Sequence, residues 1–263
     1  MKTVILPVDF SETSLNAARY AAQMLSGKTD AHIILYNLYA DDDEYAVGWH
    51  SLETLKKEIE WQGDKDIEIM MEKGDDLIES LETLSYQRRA TLVVMGITGK
   101  SPLKQALIGS NTLKMAQRDV CPVLIVPPQA KFKGVNNVAL ASDFKDVEAI
   151  TPVGYIKAVL DFFKPNLNLH IVNVNSEIHV ALTEELKTER AFFANTFLEY
   201  NPEFYFITTF DFEDTIEQFT MDKNIDMVIT VPRNHSFYDS VFKGSATKKL
   251  AFHSVVPVLA AHE

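Results

Sequence analysis

The chain has 263 residues, 46% of them apolar and 24% charged, with a formal net charge of -12. That length suits two cores of about 130 residues each, and the ordinary composition excludes a disordered or fibrous chain. The acidic balance excludes a protein held on DNA or RNA by non-specific phosphate contacts, which demand clustered Lys and Arg.

The opening run Met1-Lys2-Thr3-Val4-Ile5-Leu6-Pro7 has one basic residue and no apolar stretch long enough for a signal peptide or a spanning helix. A cytoplasmic protein with no membrane or nucleic-acid partner is expected. Short β-branched runs then alternate with segments of helical period, the pattern of a parallel sheet covered by helices. The predicted strands are Thr3–Asp9, His32–Leu38, Ile67–Glu72, Thr91–Gly96 and Val123–Val126. Leu15, Ala18, Ala22 and Leu25 form an apolar helical stripe after Ser11, a suitable N-cap. Asp41-Asp42-Asp43-Glu44 reads as a solvated loop, with a divalent-cation site as the sharper alternative. Leu77, Ile78, Leu81 and Leu84 give a further helix after Asp75 and Asp76, and Ser110–Arg118 supplies the last one. Cys121, the only cysteine, excludes an intrachain disulfide, suits a reducing compartment and reads as a small buried residue.

The second half repeats the first. Val138-Ala139-Leu140-Ala141-Ser142-Asp143-Phe144 answers Ile5-Leu6-Pro7-Val8-Asp9-Phe10, with Asp143 134 positions after Asp9. Gly244-Ser245 answers Gly109-Ser110, and Val256-Pro257-Val258-Leu259 answers Cys121-Pro122-Val123-Leu124, both at an offset of 135. Val153, Ile156, Leu160 and Phe163 repeat the first helical stripe. Two domains are predicted, 1–128 and 135–263, joined through Pro127-Pro128 and Gly134. Strands of the second are Asn168–Val174, Phe204–Thr209, Met227–Val231 and Val255–Leu259. Met70-Met71 and Phe162, Phe163, Phe192, Phe193 and Phe197 are read as core.

Chemistry concentrates after the fourth strand. Gly96 and Gly99 let a ligand approach the backbone closely, and Gly109-Ser110-Asn111 opens a helix whose unpaired N–H groups attract phosphate. If the first and fourth strands are neighbours at the point where strand order reverses, Asp9 and Gly96 face one crevice. Asp9 then accepts from an adenine amino group or a ribose hydroxyl, or it serves to cap the helix that follows. A Walker A loop is set aside, because Val94 stands where that loop needs glycine and Pro102 where its helix begins. No Gly-x-Gly-x-x-Gly run is present. Lys100 and Lys104 are either phosphate neutralisers or solvated loop residues. His235 and His253 lack zinc-ligand spacing.

The run Gly96-x2-Gly99-x9-Gly109-Ser110 resembles the ATP-binding signature of the universal stress protein family. Ile5-Leu6-Pro7-Val8-Asp9-Phe10-Ser11 resembles that family's first strand and turn, and the likeness extends over the chain as a tandem pair. The resemblance implies an α/β fold of two Rossmann-like domains, each a five-stranded parallel sheet in order 3-2-1-4-5 with helices on both faces. It also implies ATP, with or without magnesium, as the ligand. Asp9 and Leu38 would then hold adenine, Gly96 and Gly99 line ribose and phosphates, and Gly109, Ser110 and Asn111 hold the phosphate tail. In the second copy Val231 and Asn234 replace the first two glycines, so that copy is expected to bind ATP weakly or not at all.

The expected activity is nucleotide-dependent regulation or binding of an unknown protein partner in a stress response. The alternatives are an ATP-hydrolysing or self-phosphorylating enzyme, and an adaptor with a vestigial site. Association through the last strand of each domain is implied as well. An intrachain pseudo-dimer would satisfy it, and monomer and homodimer both stay open.

Overall fold

An apolar run without alternation is what a parallel strand covered on both faces requires. β1 (Lys2–Pro7) is buried throughout after its first residue, and β5 (Val123–Val126) is buried entirely. β2 (Ala31–Tyr39) and β4 (Ala90–Gly96) are nearly so. β3 (Asp66–Lys73) buries only Ile67 fully, because it is an edge strand. Met70 and Met71, expected in the core, are therefore half-exposed. The computed structural model describes residues 2–60, 66–97, 110–175, 183–208, 212–231 and 255–262, apart from the side chains of 110, 175, 212 and 213. It divides into two units, Met1–Lys133 and Gly134–Glu263.

In the first unit the strands run in order β3-β2-β1-β4-β5, all parallel. The helices are α1 (Glu12–Met24), α2 (Asp42–Glu60), α3 (Leu77–Arg88) and α4 (Ser110–Met115). They occupy both faces, as the alternation along β3 shows: Met71 reaches Gly48 of α2, whereas Glu68 bonds Arg88 of α3. α1 is joined to α2 by Arg19 and Glu58, and α3 to α4's end by Arg118 and Glu82. Local signals set the helix starts. Ser11 accepts from the Ser14 N–H at 3.3 Å, and Asp76 accepts from Ile78 and Glu79 at 2.9 and 3.1 Å. Asp42, Asp43 and Glu44 are not a loop. They form the first turn of α2, where the positive end of the helix dipole favours carboxylates.

The second unit has strands β6 (Asn137–Ala141), β7 (Asn168–Asn175), β8 (Glu203–Thr208), β9 (Met227–Thr230) and β10 (Val258–Ala260). Their order, β10-β9-β6-β7-β8, is the same topology, again all parallel. Its helices are α5 (Val147–Ile150), α6 (Val153–Leu160), α7 (Glu184–Thr196) and α8 (Phe212–Asp222). α7 packs Phe193 against Phe144 on one face, while α8 brings Phe219 against Tyr205 on the other. Phe162, Phe193 and Phe197 are fully buried; Phe163 and Phe192 are half-buried. Where the first unit has one continuous α1, the second has α5 and α6. Pro152 supplies no N–H and pushes Thr151 into extended backbone, ψ 117°, so the first helix breaks between them. Among the described residues no helix is long and apolar enough to cross a membrane. Cys121 is buried, and burial pushes its thiol up to about 11, which leaves it inert.

His170 on β7 is 6% exposed, with Nδ1 3.6 Å from Glu203 Oε2 and in no hydrogen bond among the described residues. Burial holds the imidazole below its ordinary pKa; Glu203 opposes that and Lys223 adds to it. As pH falls through about 6.5 the unfolded chain takes up a proton that the folded unit resists, so stability declines on acidification. Urea midpoints measured from about pH 7 to 5 should fall less steeply in His170→Gln than in the parent. An unchanged slope would remove His170 from that role.

Candidate functional site

The first unit's strand order reverses between β1 and β4, because β1 pairs with β2 on one side and with β4 on the other. At such a switch point the connections leave in opposite directions and open a crevice at the carboxyl ends. Pro7 ends β1 there and Gly96 ends β4.

Beyond Pro7 the chain is tied down before it turns. The Val8 N–H donates to the Tyr36 carbonyl at 2.8 Å, and the Asn37 side-chain amide donates to the Val8 carbonyl at 2.7 Å. Asn37 is 8% exposed, a buried polar group matched by its bond. Phe10 then adopts φ 61°, a left-handed conformation rare for a bulky residue, and reverses the chain into α1. Asp9 is exposed on this turn. Its Oδ1 accepts from the Ser11 N–H at 3.0 Å and from the Ser11 hydroxyl at 2.6 Å. Partial burial opposes ionisation, but the hydroxyls of Ser11 and Ser14 and the Ser11 N–H outweigh it, so the carboxyl sits below its ordinary range. Asp9 is thus a carboxylate at neutral pH, and the N-cap of α1 is Ser11 rather than Asp9.

Gly96 has a packing reason that spacing alone does not reveal. A Cβ there would lie 2.3 Å from the Thr13 carbonyl oxygen and 2.6 Å from its carbon, so only glycine lets the first turn of α1 cross the end of β4. Thr112 of α4 donates its hydroxyl to the Gly96 carbonyl at 2.8 Å. Ser11 and Thr13 hydroxyls lie 3.1 Å apart. Asp9, Ser11, Thr13, Gly96 and Thr112 therefore form one connected path along the crevice. Leu38 is half-buried at the end of β2, with Cδ1 3.0 Å from where a Cβ on Gly74 would sit. Ser110 opens α4 and Asn111 follows it, exposed. Gly99, Gly109, Lys100 and Lys104 lie outside the described residues, as do Asn234, His235, Gly244, Ser245 and His253.

The second unit keeps half of this arrangement. Ser142 N–H donates to Val172 at 3.0 Å, Asn173 donates to the Ser142 carbonyl at 2.9 Å, and Phe144 is left-handed at φ 55°. Asp143 Oδ1 accepts from the Lys145 N–H at 3.2 Å. The paired registers Ile5↔Val93 and Ala139↔Val228 place Val231 where Gly96 stands in the first unit. Sequence reasoning missed Asn37, Asn173, Thr13 and Thr112. An Asn near the end of the second strand in both halves was the available signal; nothing in spacing marks the two threonines.

A family model described as the universal stress protein family matches residues 1–127. A universal stress protein of Methanocaldococcus jannaschii is 31% identical over 146 residues, covering 49% of this chain and 84% of that protein. The chain belongs to the universal stress protein family. A second universal stress protein, from Bacillus subtilis, is 29% identical over 90 residues, covering 29% of this chain and 61% of its own length. Among solved structures, a universal stress protein from Archaeoglobus fulgidus superposes with a TM-score of 0.74 at 20% identity, over 99% of this chain and 96% of that one. At that identity the likeness is one of fold, and it spans both units.

Two substitutions separate the packing roles. Gly96→Ala should destabilise the first unit by about 1–3 kcal/mol through overpacking against Thr13. Asn37→Ala should cost about 1–3 kcal/mol by leaving the Val8 carbonyl unpaired. Urea denaturation of the full chain measures both. A Gly96→Ala midpoint equal to the parent's would mean that α1 yields freely.

Proposed function

We propose that the first unit is an ATP-binding module and that the protein acts by presenting its nucleotide state to a partner, without turnover. The observation that carries this reading is the placement of an ionised Asp9 and of Gly96 at the carboxyl ends of neighbouring strands β1 and β4. Asp9 supplies an acceptor for the adenine amino group, and Leu38 an apolar contact for the ring. Gly96 leads from β4 into the loop whose glycines, Gly99 and Gly109, would admit the phosphates, with Ser110 and Asn111 at the start of α4.

Binding without hydrolysis is favoured because in-line phosphoryl transfer needs metal ligands and charge stabilisation around the γ-phosphate. Asp9 is the carboxylate that the described residues place at the crevice, and its Oδ1 is already engaged by Ser11. The second unit is the nucleotide-silent partner. Val231 puts a branched side chain where Gly96 stands, although the Asp143 turn is retained.

Gly96 is a poor test position, because its substitution damages packing as well. Gly109→Val and Asp9→Ala are better. Calorimetry with ATP should give one site per chain, its affinity lowered about tenfold or more in Asp9→Ala and lost in Gly109→Val. Mass analysis of the denatured purified protein should release adenine nucleotide. Phosphate release should not exceed that of Gly109→Val. Two equivalent sites per chain would overturn the asymmetry, and ATP binding unchanged in Gly109→Val would overturn the site.

A further inference from the structure

The N-terminal part of α2 stands clear of the sheet it covers. Every residue from Ala40 to Val47 is exposed, and Gly48 is the first that α2 buries. The exposed stretch is not polar throughout. Val47 is 70% exposed, Tyr45 43% and Trp49 37%. Tyr45 and Trp49 lie one helical turn apart, so their rings share a face. They stack at 6.1 Å, and Tyr39, from the end of β2, meets Tyr45 edge-on at 5.4 Å. Trp49 also borders a groove of ≈ 320 Å³ between α2 and the open edge of β3, with Glu53, Lys57, Ile67 and Ile69 among its walls. Three adjoining aromatic rings running into a groove are the make-up of an interface centre.

Charge selects the occupant. Asp41, Asp43 and Glu53 carry no ion pair among the described residues. The neighbouring cations are mostly committed: Lys73 to Asp42 at 2.8 Å, and Lys56 to the Ile67 carbonyl at 2.7 Å and to Glu60 at 3.7 Å. Aromatic faces attract ammonium and, more often, guanidinium groups, and the planar guanidinium also stacks.

We propose that the strip Tyr39–Tyr45–Trp49 and the groove beside it dock a basic, arginine-bearing segment of a partner protein. Its guanidinium groups would lie on the rings of Tyr45 and Trp49, and its remaining cations would face Asp41, Asp43 and Glu53. Nucleic acid is repelled by these carboxylates. A second copy in a two-fold contact would bring the same carboxylates face to face. The surface is independent of nucleotide binding and stands if that reading fails.

The chain has two tryptophans, Trp49 and Trp61, so Trp61→Phe leaves Trp49 as the sole reporter. That full-length variant would be titrated with a synthetic peptide alternating arginine and leucine, and with its glutamate–leucine counterpart, following Trp49 emission. Saturable binding of the arginine peptide alone is expected, with a shifted emission. Tyr45→Ser and Asp43→Lys should each weaken it about tenfold. Glu148→Lys, an equal charge change in the first turn of α5, should leave it intact. Equal weakening by Glu148→Lys would reduce the effect to overall charge. An unshifted Trp49 emission on binding would move the peptide elsewhere. Self-association abolished by Tyr45→Ser would put a second copy on the strip. Each of these three results overturns the proposal.

Discussion

The contact on which the first unit's crevice depends is the passage of α1's first turn over the end of β4, with the Thr13 carbonyl against Gly96. It draws the amino end of α1, the turn that carries Asp9 and the start of the strand-to-α4 connection into one place. The Gly96 carbonyl also accepts from the Thr112 hydroxyl, so the two elements that flank the crevice are fastened to the same residue. The glycine therefore serves architecture before it serves any ligand. The described walls of the crevice, the Asp9 turn and the end of β4, are held by bonds within the protein itself.

The duplication separates what the fold needs from what the site needs. Both units retain the amide clamp of Asn37 or Asn173 on the carbonyl after the first strand. Both also retain the left-handed Phe10 or Phe144 that turns the chain into its first helix. These features are requirements of the strand–turn–helix unit, since they persist where the glycine has gone. The features that differ lie together: Val231 replaces the glycine, and the helix expected to cross it is broken at Pro152. α1 packs closely on β4, and neither α5 nor α6 makes a comparable approach to β9. A branched side chain and a close helix crossing exclude one another, and each unit holds one of the two.

Much of this was legible because parallel strands buried on both faces leave an unmistakable apolar run. The predicted strands of the first half fall within one or two residues of β1 to β5, and Ser11 and Asp76 act as caps. Strand order could be inferred from the resemblance, since crossover geometry leaves few alternatives. Other features were hidden by their physics. Asp42 to Glu44 look like a solvated loop until the helix dipole gives them a first turn to occupy. Met70 and Met71 look like core until β3 proves to be an edge. The clash that an alanine at 96 would make depends on a carbonyl 83 positions earlier in the chain, which no local pattern encodes.

The bond from the Lys56 ammonium to the Ile67 carbonyl reaches beyond the groove it borders. β3 is the open margin of its unit's sheet, and every unsatisfied carbonyl along such a margin is a template for the strand of another chain. A charged side chain laid across one rung interrupts that template and places a positive group where an incoming strand would have to bury it. The same strand that leaves a groove for a partner is in this way guarded against indiscriminate pairing. Lys56, holding one carbonyl of that edge, thus belongs to the devices that keep two such sheets from joining margin to margin.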